Sequence, residues 1–384
     1  MPTKKNQHFV PKFLLKFFSL NMNDKTINIY LLDKDKIIES MPLDSQCQND
    51  YFYNKNLDIE NALEKLETKT AILLKNIENT SVLPTLKSID QIIILIFVIV
   101  QAKRTLYSNE QLKEAIYKNW PIHDETFKKN YAKFSYNASA YFLQETLYTL
   151  PLVSDLEYKL IVNDTNIPFI ISDHPVIFYN QFLEKLRKDG GTIGFATKGL
   201  QIFFSFSPKH CIIFYDNLVY KVGTRDKNVI YVSDVNDINA INSLQYINAY
   251  KTVYFNNNLD KKQFAIIKGK MKKYRKVEKV FIKEAKLIRN NQINPLILSN
   301  TRKIEIKLSL SFLNLNKKAK KISYNGELVI FRNKNFYDKF NLLDKMNLLK
   351  KPTWNNFIDD INHNLCLLQG AIKNLEKLNR YMNN

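Results

Sequence analysis

Cysteine is scarce. Cys47, Cys211 and Cys366 are the only three in 384 residues, and they share no short spacing, so neither a zinc knuckle nor a disulfide framework is encoded. Glycine is sparse too, with eight residues, four of which (Gly190, Gly191, Gly194 and Gly199) fall together and mark one loop. The run Gly190-Gly191-Thr192-Ile193-Gly194 lacks the lysine and following helix of a phosphate-binding loop, and no Gly-x-Ser-x-Gly elbow occurs anywhere. Long apolar runs are missing. The greasiest, Ile92 to Val100, is about half the ~20 residues that a bilayer span needs. The polar start Met1-Pro2-Thr3-Lys4-Lys5 carries no secretory pattern, so a cytoplasmic protein is the expectation.

What is present is enough apolar material for a large core, 45% hydrophobic with 12% aromatic residues, and a net charge of +20. That charge is unevenly spread. From Lys261 to the last residue there are 28 Lys and Arg against 9 Asp and Glu, a net of +19, which leaves the preceding 260 residues near +1. This shift places a boundary near residue 260, between a domain over 1–260 and a basic C-terminal region over 261–384.

The patterning predicts an α+β protein, with a helical N-terminal half packed on one mostly antiparallel sheet and a basic C-terminal appendage. Thr26 to Leu32 and Lys36 to Met41 read as a hairpin over Asp33-Lys34-Asp35. Helices are expected from Asp58 to Ile77, from a Ser88 cap through the apolar run to about Tyr107, from Ser108 to Trp120, and over about 124–148. Apolar all round up to Gln101, the second of these should be the central buried helix. Strands are expected at Tyr158–Val162, Pro168–Ile171, Val176–Tyr179, Gln201–Ser205, Ile212–Tyr215 and Val229–Val232, then a helix over Val235–Tyr250. In the tail, Phe264, Ile267, Met271, Tyr274, Phe281, Ala285 and Ile288 keep a three-four rhythm among twelve Lys and Arg, which predicts a basic amphipathic helix over Lys261–Arg289. Strands at Ile304–Phe312 and Ile322–Phe331 and a closing helix over Trp354–Tyr381 follow.

The chain opens on Gln7-His8-Phe9-Val10-Pro11. A polar pair precedes a proline suited to a helix start, and Phe13, Leu14, Phe17 and Phe18 follow at helical spacing. Four further blocks put a polar group at the edge of an apolar element: Gln101-Ala102-Lys103-Arg104-Thr105, Ser172-Asp173-His174-Pro175-Val176, Phe206-Ser207-Pro208, and Asn242 on its helix. These five blocks, in this order over residues 5–256, resemble the bacterial domain-of-unknown-function family 4238. The resemblance supplies positions and no established activity. As the family is a scattered bacterial accessory domain, it also suggests a setting, an effector of a defence or toxin system.

If the blocks converge, His8, Arg104 and Asp173 suit acid–base hydrolysis of a phosphodiester. The histidine would move the proton, the guanidinium would hold phosphate oxygens, and the aspartate would orient the imidazole or hold a metal. Gln101 and Asn242 would bind substrate, and Glu60 and Glu67, seven apart on one helix face, could join Asp173 around a magnesium ion. Each residue also has a local reading. Asp173 can make an Asx-turn before Pro175, Arg104 can close helix carbonyls, Asn242 can satisfy backbone, and the glutamates can be a solvated face.

In the tail, Lys272, Lys273, Arg275 and Lys276 lie among aromatics and suit the phosphate backbone of nucleic acid. A basic amphipathic helix also suits an anionic membrane surface. The expected function is thus a nucleic-acid-processing protein, a phosphodiester-cleaving effector in its sharpest form. The competing readings are a non-catalytic module that binds nucleic acid or a partner, and a protein docked on a membrane surface. Oligomeric state has no signature.

Overall fold

The computed structural model describes residues 6–53, 57–119, 140, 142–186, 192–257, 259–274, 280–289, 292–301, 306–322 and 330–382. The predicted class holds: helices and mostly antiparallel sheets. In chain order the elements are β1 Asn6–His8, α1 Lys12–Lys16, β2 Thr26–Leu31, β3 Lys36–Pro42, β4 Gln48–Asp50, α2 Asp58–Thr80, α3 Ile89–Lys103 and α4 Leu106–Asn119. After helical residues 142–149, which we call α5, come β5 Glu157–Asn163, β6 Ile171–Ser172, β7 Val176–Tyr179, α6 Gln181–Leu186, β8 Gln201–Ser205 and β9 His210–Tyr215. Then follow β10 Tyr220–Val222, β11 Val229–Val232, α7 Val235–Asn248, β12 Thr252–Phe255, α8 Lys261–Met271, β13 Val280–Arg289, β14 Gln292–Thr301, β15 Leu313–Leu315, α9 Lys334–Lys345 and α10 Phe357–Met382.

Where one sheet was expected, the described residues form five, of which three are two-stranded pairs (β1-β4, β10-β15 and β13-β14). The five-stranded sheet runs β11-β5-β9-β8-β7, antiparallel except for the parallel β11–β5 pair, and the four-stranded sheet runs β3-β2-β12-β6. The strands of the larger sheet are apolar on both faces because both faces are covered. Leu160, Val162, Phe204 and Phe214 turn toward the cluster that contains α3. Ile161, Phe203, Ile213 and Val232 turn toward the cluster that contains Ile238, Ile241 and Leu244 of α7.

Helix α3 is the axis. Every residue from Ile92 to Ala102 is buried, and Ser88 caps its start by accepting from Gln91 N at 3.2 Å. It ends at Lys103, earlier than predicted. The Ser108 hydroxyl donates to Ala102 O (2.8 Å), and Thr105 Oγ1 accepts from Ser108 N (3.3 Å), so hydroxyls take over the terminal backbone groups and restart the chain as α4. In α2 Leu63, Leu66 and Ile77 are buried and Leu73 is half-buried, whereas Ile72, expected on the same stripe, is 67% exposed. The expected helix over 124–148 is helical in its described part, 142–149; residues 120–139 lie outside the described residues.

The tail departs most from expectation. The helix predicted over Lys261–Arg289 stops at Met271, followed by a 3-10 turn at Lys272–Tyr274, and Val280–Arg289 is a strand paired along its whole length with Gln292–Thr301. The helical rhythm is real only as far as Tyr274. Beyond it the β-branched Val280, Ile282 and Ile288, with Asn290-Asn291 between two β-capable runs, carry a hairpin signal instead. Residues 306–312 form no strand, although Leu308 and Leu310 are buried. Of Ile322–Phe331, residues 323–329 lie outside the described residues and Phe331 makes a single bridge to Thr197. Helix α10 holds as predicted, and α9 was not foreseen.

Apolar residues beyond 260 belong to the same clusters as those before it. Phe264, Ile267, Leu310 and Leu313 pack with α7, and Phe357, Ile361 and Leu365 pack with α3. Arg332, 5% exposed, bridges the two stretches: its guanidinium pairs with both Asp155 carboxylate oxygens (2.8 and 2.6 Å) and donates to the carbonyls of Leu152, Phe195 and Thr197. Replacing it with alanine strands a carboxylate and three carbonyls. Arg332→Ala should cost about 3–5 kcal/mol in urea unfolding, within one cooperative transition. Two separate transitions would instead mark the tail as independently folded.

Candidate functional site

Strand β1 pairs with β4, His8 opposite Gln48, and the alternation of a strand sends consecutive side chains opposite ways. Gln7 points inward, fully buried, and accepts from Tyr53 N at 2.6 Å. His8 points outward, half-buried, with Nε2 3.3 Å from the Asp44 carbonyl. Burial lowers its pKa below the usual 6.5, helped by the positive charges of Lys12 and Arg104 and opposed by Asp44.

His8 stands on the wall of a groove of about 550 Å³ between α1 and α2. Pro11, Lys12 and Phe13 line one side, and Glu60, Glu64, Glu67, Thr68 and Ile72 the other. The glutamates of α2, three and four residues apart, form one ridge. Three carboxylates, of which Glu67 is paired with the guanidinium of Arg104, face His8 and Lys12, so the lining carries more acid than base.

Behind it lies Arg104, 1% exposed. Its Nε donates to Gln101 Oε1 (2.7 Å) and its Nη1 to Glu67 Oε1 (2.6 Å), while the buried Nη2 has no hydrogen-bond partner among the described residues. Burial opposes its charge, but Glu67, Tyr53 and Glu60 outweigh that and raise its pKa. Gln101 in turn donates to the Phe9 carbonyl at 3.0 Å. His8, Gln101, Arg104 and Glu67 are therefore brought together, with His8 and Glu67 at the groove and the other two behind it.

Asp173 is used elsewhere. Its carboxylate accepts from three backbone N–H groups, Tyr250 (2.8 Å), Lys251 (2.7 Å) and Thr252 (3.1 Å), and so locks the α7–β12 corner onto β6. Asn242 is likewise a backbone clamp, accepting from Ile170 N (3.0 Å) and donating to the Pro168 carbonyl (2.9 Å). Neither lines the groove, so the structure does not bring Asp173 or Asn242 to His8 as the suggested orienting, metal-holding and substrate-binding roles would need. Glu67 pairs with Arg104, not with Asp173, and among the described residues no group of three or more His, Cys, Asp or Glu is placed to hold a metal ion.

Sequence reasoning missed the connections. Thr105 Oγ1 is 2.7 Å from His174 Nδ1, and Asn248 Nδ2 donates to the His174 carbonyl at 2.6 Å. On the far end of α2, Glu78 meets His210 at 2.7 Å. No spacing signal could have announced contacts between positions so far apart in the chain.

Of the basic candidates, Lys272 and Lys273 are exposed; Arg275 and Lys276 lie outside the described residues. Lys272 reaches Asp35 at 4.0 Å, which Lys268 also contacts, and Lys261 pairs with Glu39 at 2.9 Å. Lys262 and Lys270 are exposed and make no ion pair among the described residues.

Fold and site together define an α+β protein whose sequence landmarks are mostly the joints of a buried polar framework, beside an acidic groove. The chain belongs to the family described as protein of unknown function (DUF4238), which matches residues 6–258. Comparisons with curated proteins and with solved structures find no match.

Two outcomes follow. Asp173→Asn puts an amide donor against N–H groups and should lower stability by about 1.5–3 kcal/mol, read from thermal or urea unfolding. A histidine held neutral in the fold binds fewer protons there than in the unfolded chain, so its contribution to stability is complete above pH 6.5 and is lost as pH falls through the lowered folded value. His8→Gln should flatten that part of the stability–pH curve, and the His8 C2–H resonance should titrate below 6.5.

Proposed function

We propose that this chain is a cytoplasmic nucleic-acid-binding protein of a nucleic-acid-processing system, which holds the phosphate backbone through its basic C-terminal region. The supporting observation is the segregation of charge, +19 over residues 261–384 against +1 before them, with Lys262, Lys270, Lys272 and Lys273 exposed on α8 and the turn that follows. Counterions released from such a surface drive binding without base readout. A cleaving role centred on His8, Arg104 and Asp173 has less support. Asp173 is saturated by backbone, Arg104 is buried in an ion pair, and the glutamates beside His8 would repel a phosphodiester. The membrane reading loses its long amphipathic helix, because α8 is short and buries Phe264 and Ile267 in the core. The defence or toxin setting rests on family resemblance alone.

The test is fluorescence anisotropy of the full chain with labelled RNA and DNA across a salt series, with anionic liposome flotation in parallel. Affinity should fall steeply with salt. Reversing Lys262, Lys270 and Lys273 to glutamate should weaken binding tenfold or more and reduce the log–log salt slope by about two to three units. Unchanged affinity in that variant, or retention by liposomes and not by oligonucleotides, overturns the proposal. The same oligonucleotides incubated with magnesium and either the parent chain or His8→Ala should remain intact in both.

A further inference from the structure

Ser81 closes α2 in a left-handed conformation, φ 54° and ψ 28°, at a position that glycine or asparagine usually fills because a Cβ is unfavourable there. Its backbone N–H already caps Ile77 O at 2.8 Å, and its hydroxyl lies 3.2 Å from Nε2 of His210 at the start of β9. One turn earlier in α2, Glu78 places Oε2 2.7 Å from Nδ1 of the same ring. Hydroxyl and carboxylate thus sit at the two nitrogens of one imidazole, in the order that activates a serine nucleophile.

The surroundings fix this order. The His210 ring is 1% exposed and stacks on Phe206, with centroids 5.6 Å apart and planes 13° apart. Burial pushes the Glu78 pKa up, but hydrogen bonds from His210 and Ser207, with the charges of His210 and Lys75, outweigh it and hold the carboxyl below its usual value. In the neutral ring, a carboxylate at Nδ1 favours the tautomer whose Nε2 faces the Ser81 hydroxyl as an acceptor. Ser81 is half-buried, and Glu78, though neither Ser81 nor His210, borders a groove of about 770 Å³ that Phe13, Phe17, Met22 and Ile72 line together with Lys16, Asp24 and Lys75. Phe17 packs edge-on against Phe206 at 5.9 Å, so the groove wall and the ring support are continuous.

We propose that Ser81, His210 and Glu78 form an esterase site. Ser81 Oγ attacks the ester carbonyl as its proton passes to His210 Nε2. The tetrahedral adduct then expels the alcohol, which leaves with that proton, and Ser81 is acylated. Water, deprotonated by the same nitrogen, releases the carboxylic acid and restores the hydroxyl. No oxidant, reductant or metal enters the balance. This site lies apart from His8 and from the basic tail and does not rest on nucleic-acid binding.

The test is to treat the folded full-length chain with a fluorophosphonate probe, locate the adduct by peptide mass spectrometry, and follow hydrolysis of p-nitrophenyl butyrate. The adduct should sit on Ser81. Ser81→Ala should abolish both signals with a nearly unchanged melting temperature, since the cap N–H remains. Glu78→Gln, and His210→Asn if it folds, should cut hydrolysis by about 10²-fold or more. No adduct in a chain whose circular dichroism shows it folded, an adduct on Ser207 instead, or hydrolysis that survives Ser81→Ala would each overturn the proposal and leave the cluster as a helix-end anchor.

Discussion

The C-terminal end of α3 is where a helix buried on every side has to bring polar groups into the interior. Ile92 to Val100 can be wrapped in oil without cost, but the last turn carries Gln101, Arg104 and the chain's next hydroxyls. These groups are buried away from bulk solvent, so each that goes unpaired forfeits about 1–3 kcal/mol, more for the charge. Gln101 takes the Phe9 carbonyl, Arg104 takes Gln101 and Glu67, and Thr105 takes His174. The N-terminal strand, α2 and the β6–β7 turn are all located by this one helix end. From His174 the framework continues through Asn248, and its neighbour Asp173 ties the corner at Tyr250 to Thr252. To disturb the end of α3 is therefore to loosen elements from both halves of the fold.

The same reasoning places the tail. A strongly basic stretch could hang from the body as an arm, but its apolar residues are spent on the shared clusters, and Arg332 is buried against Asp155. Its lysines are consequently displayed from a fixed surface. Part of that charge is used internally, where Asp35 and Glu39 on and beside the β2–β3 hairpin meet Lys268 and Lys261.

Local rules carried much of this fold. The unbroken apolar run foretold the buried axis, Ser88 its cap, and Asp33-Lys34-Asp35 its hairpin, because each depends on residues a few positions apart. What depends on distant partners was hidden. Asp173 reads as a catalytic carboxylate or an Asx-turn in isolation; only the arrival of backbone 77 to 79 positions away shows it saturated. Ser81 and His210 are separated by 129 positions, and neither sits in a nucleophile motif. In the tail, a helical rhythm that is genuine to Tyr274 was extended across residues whose β-branched content favours a ladder.

Burial then sorts the landmarks into two kinds. Gln101, Arg104, Asp173 and Asn242 are enclosed and occupied, whereas His8 keeps a half-exposed ring on an open groove. The other wall of that groove belongs to α2, whose polar side was readable as a merely solvated face. That side instead supplies Glu60, Glu64 and Glu67 to one groove and Glu78 to the next. The groove beside His8 and the basic surface of the tail differ in charge, whereas the groove beside Glu78 sets Lys16 and Lys75 against Asp24 and Glu78. A polyanion is attracted to the exposed lysines and disfavoured beside the glutamates. The proposed chemistry along α2 and the proposed nucleic-acid binding by the tail rest on different residues, so a variant that removes one need not remove the other.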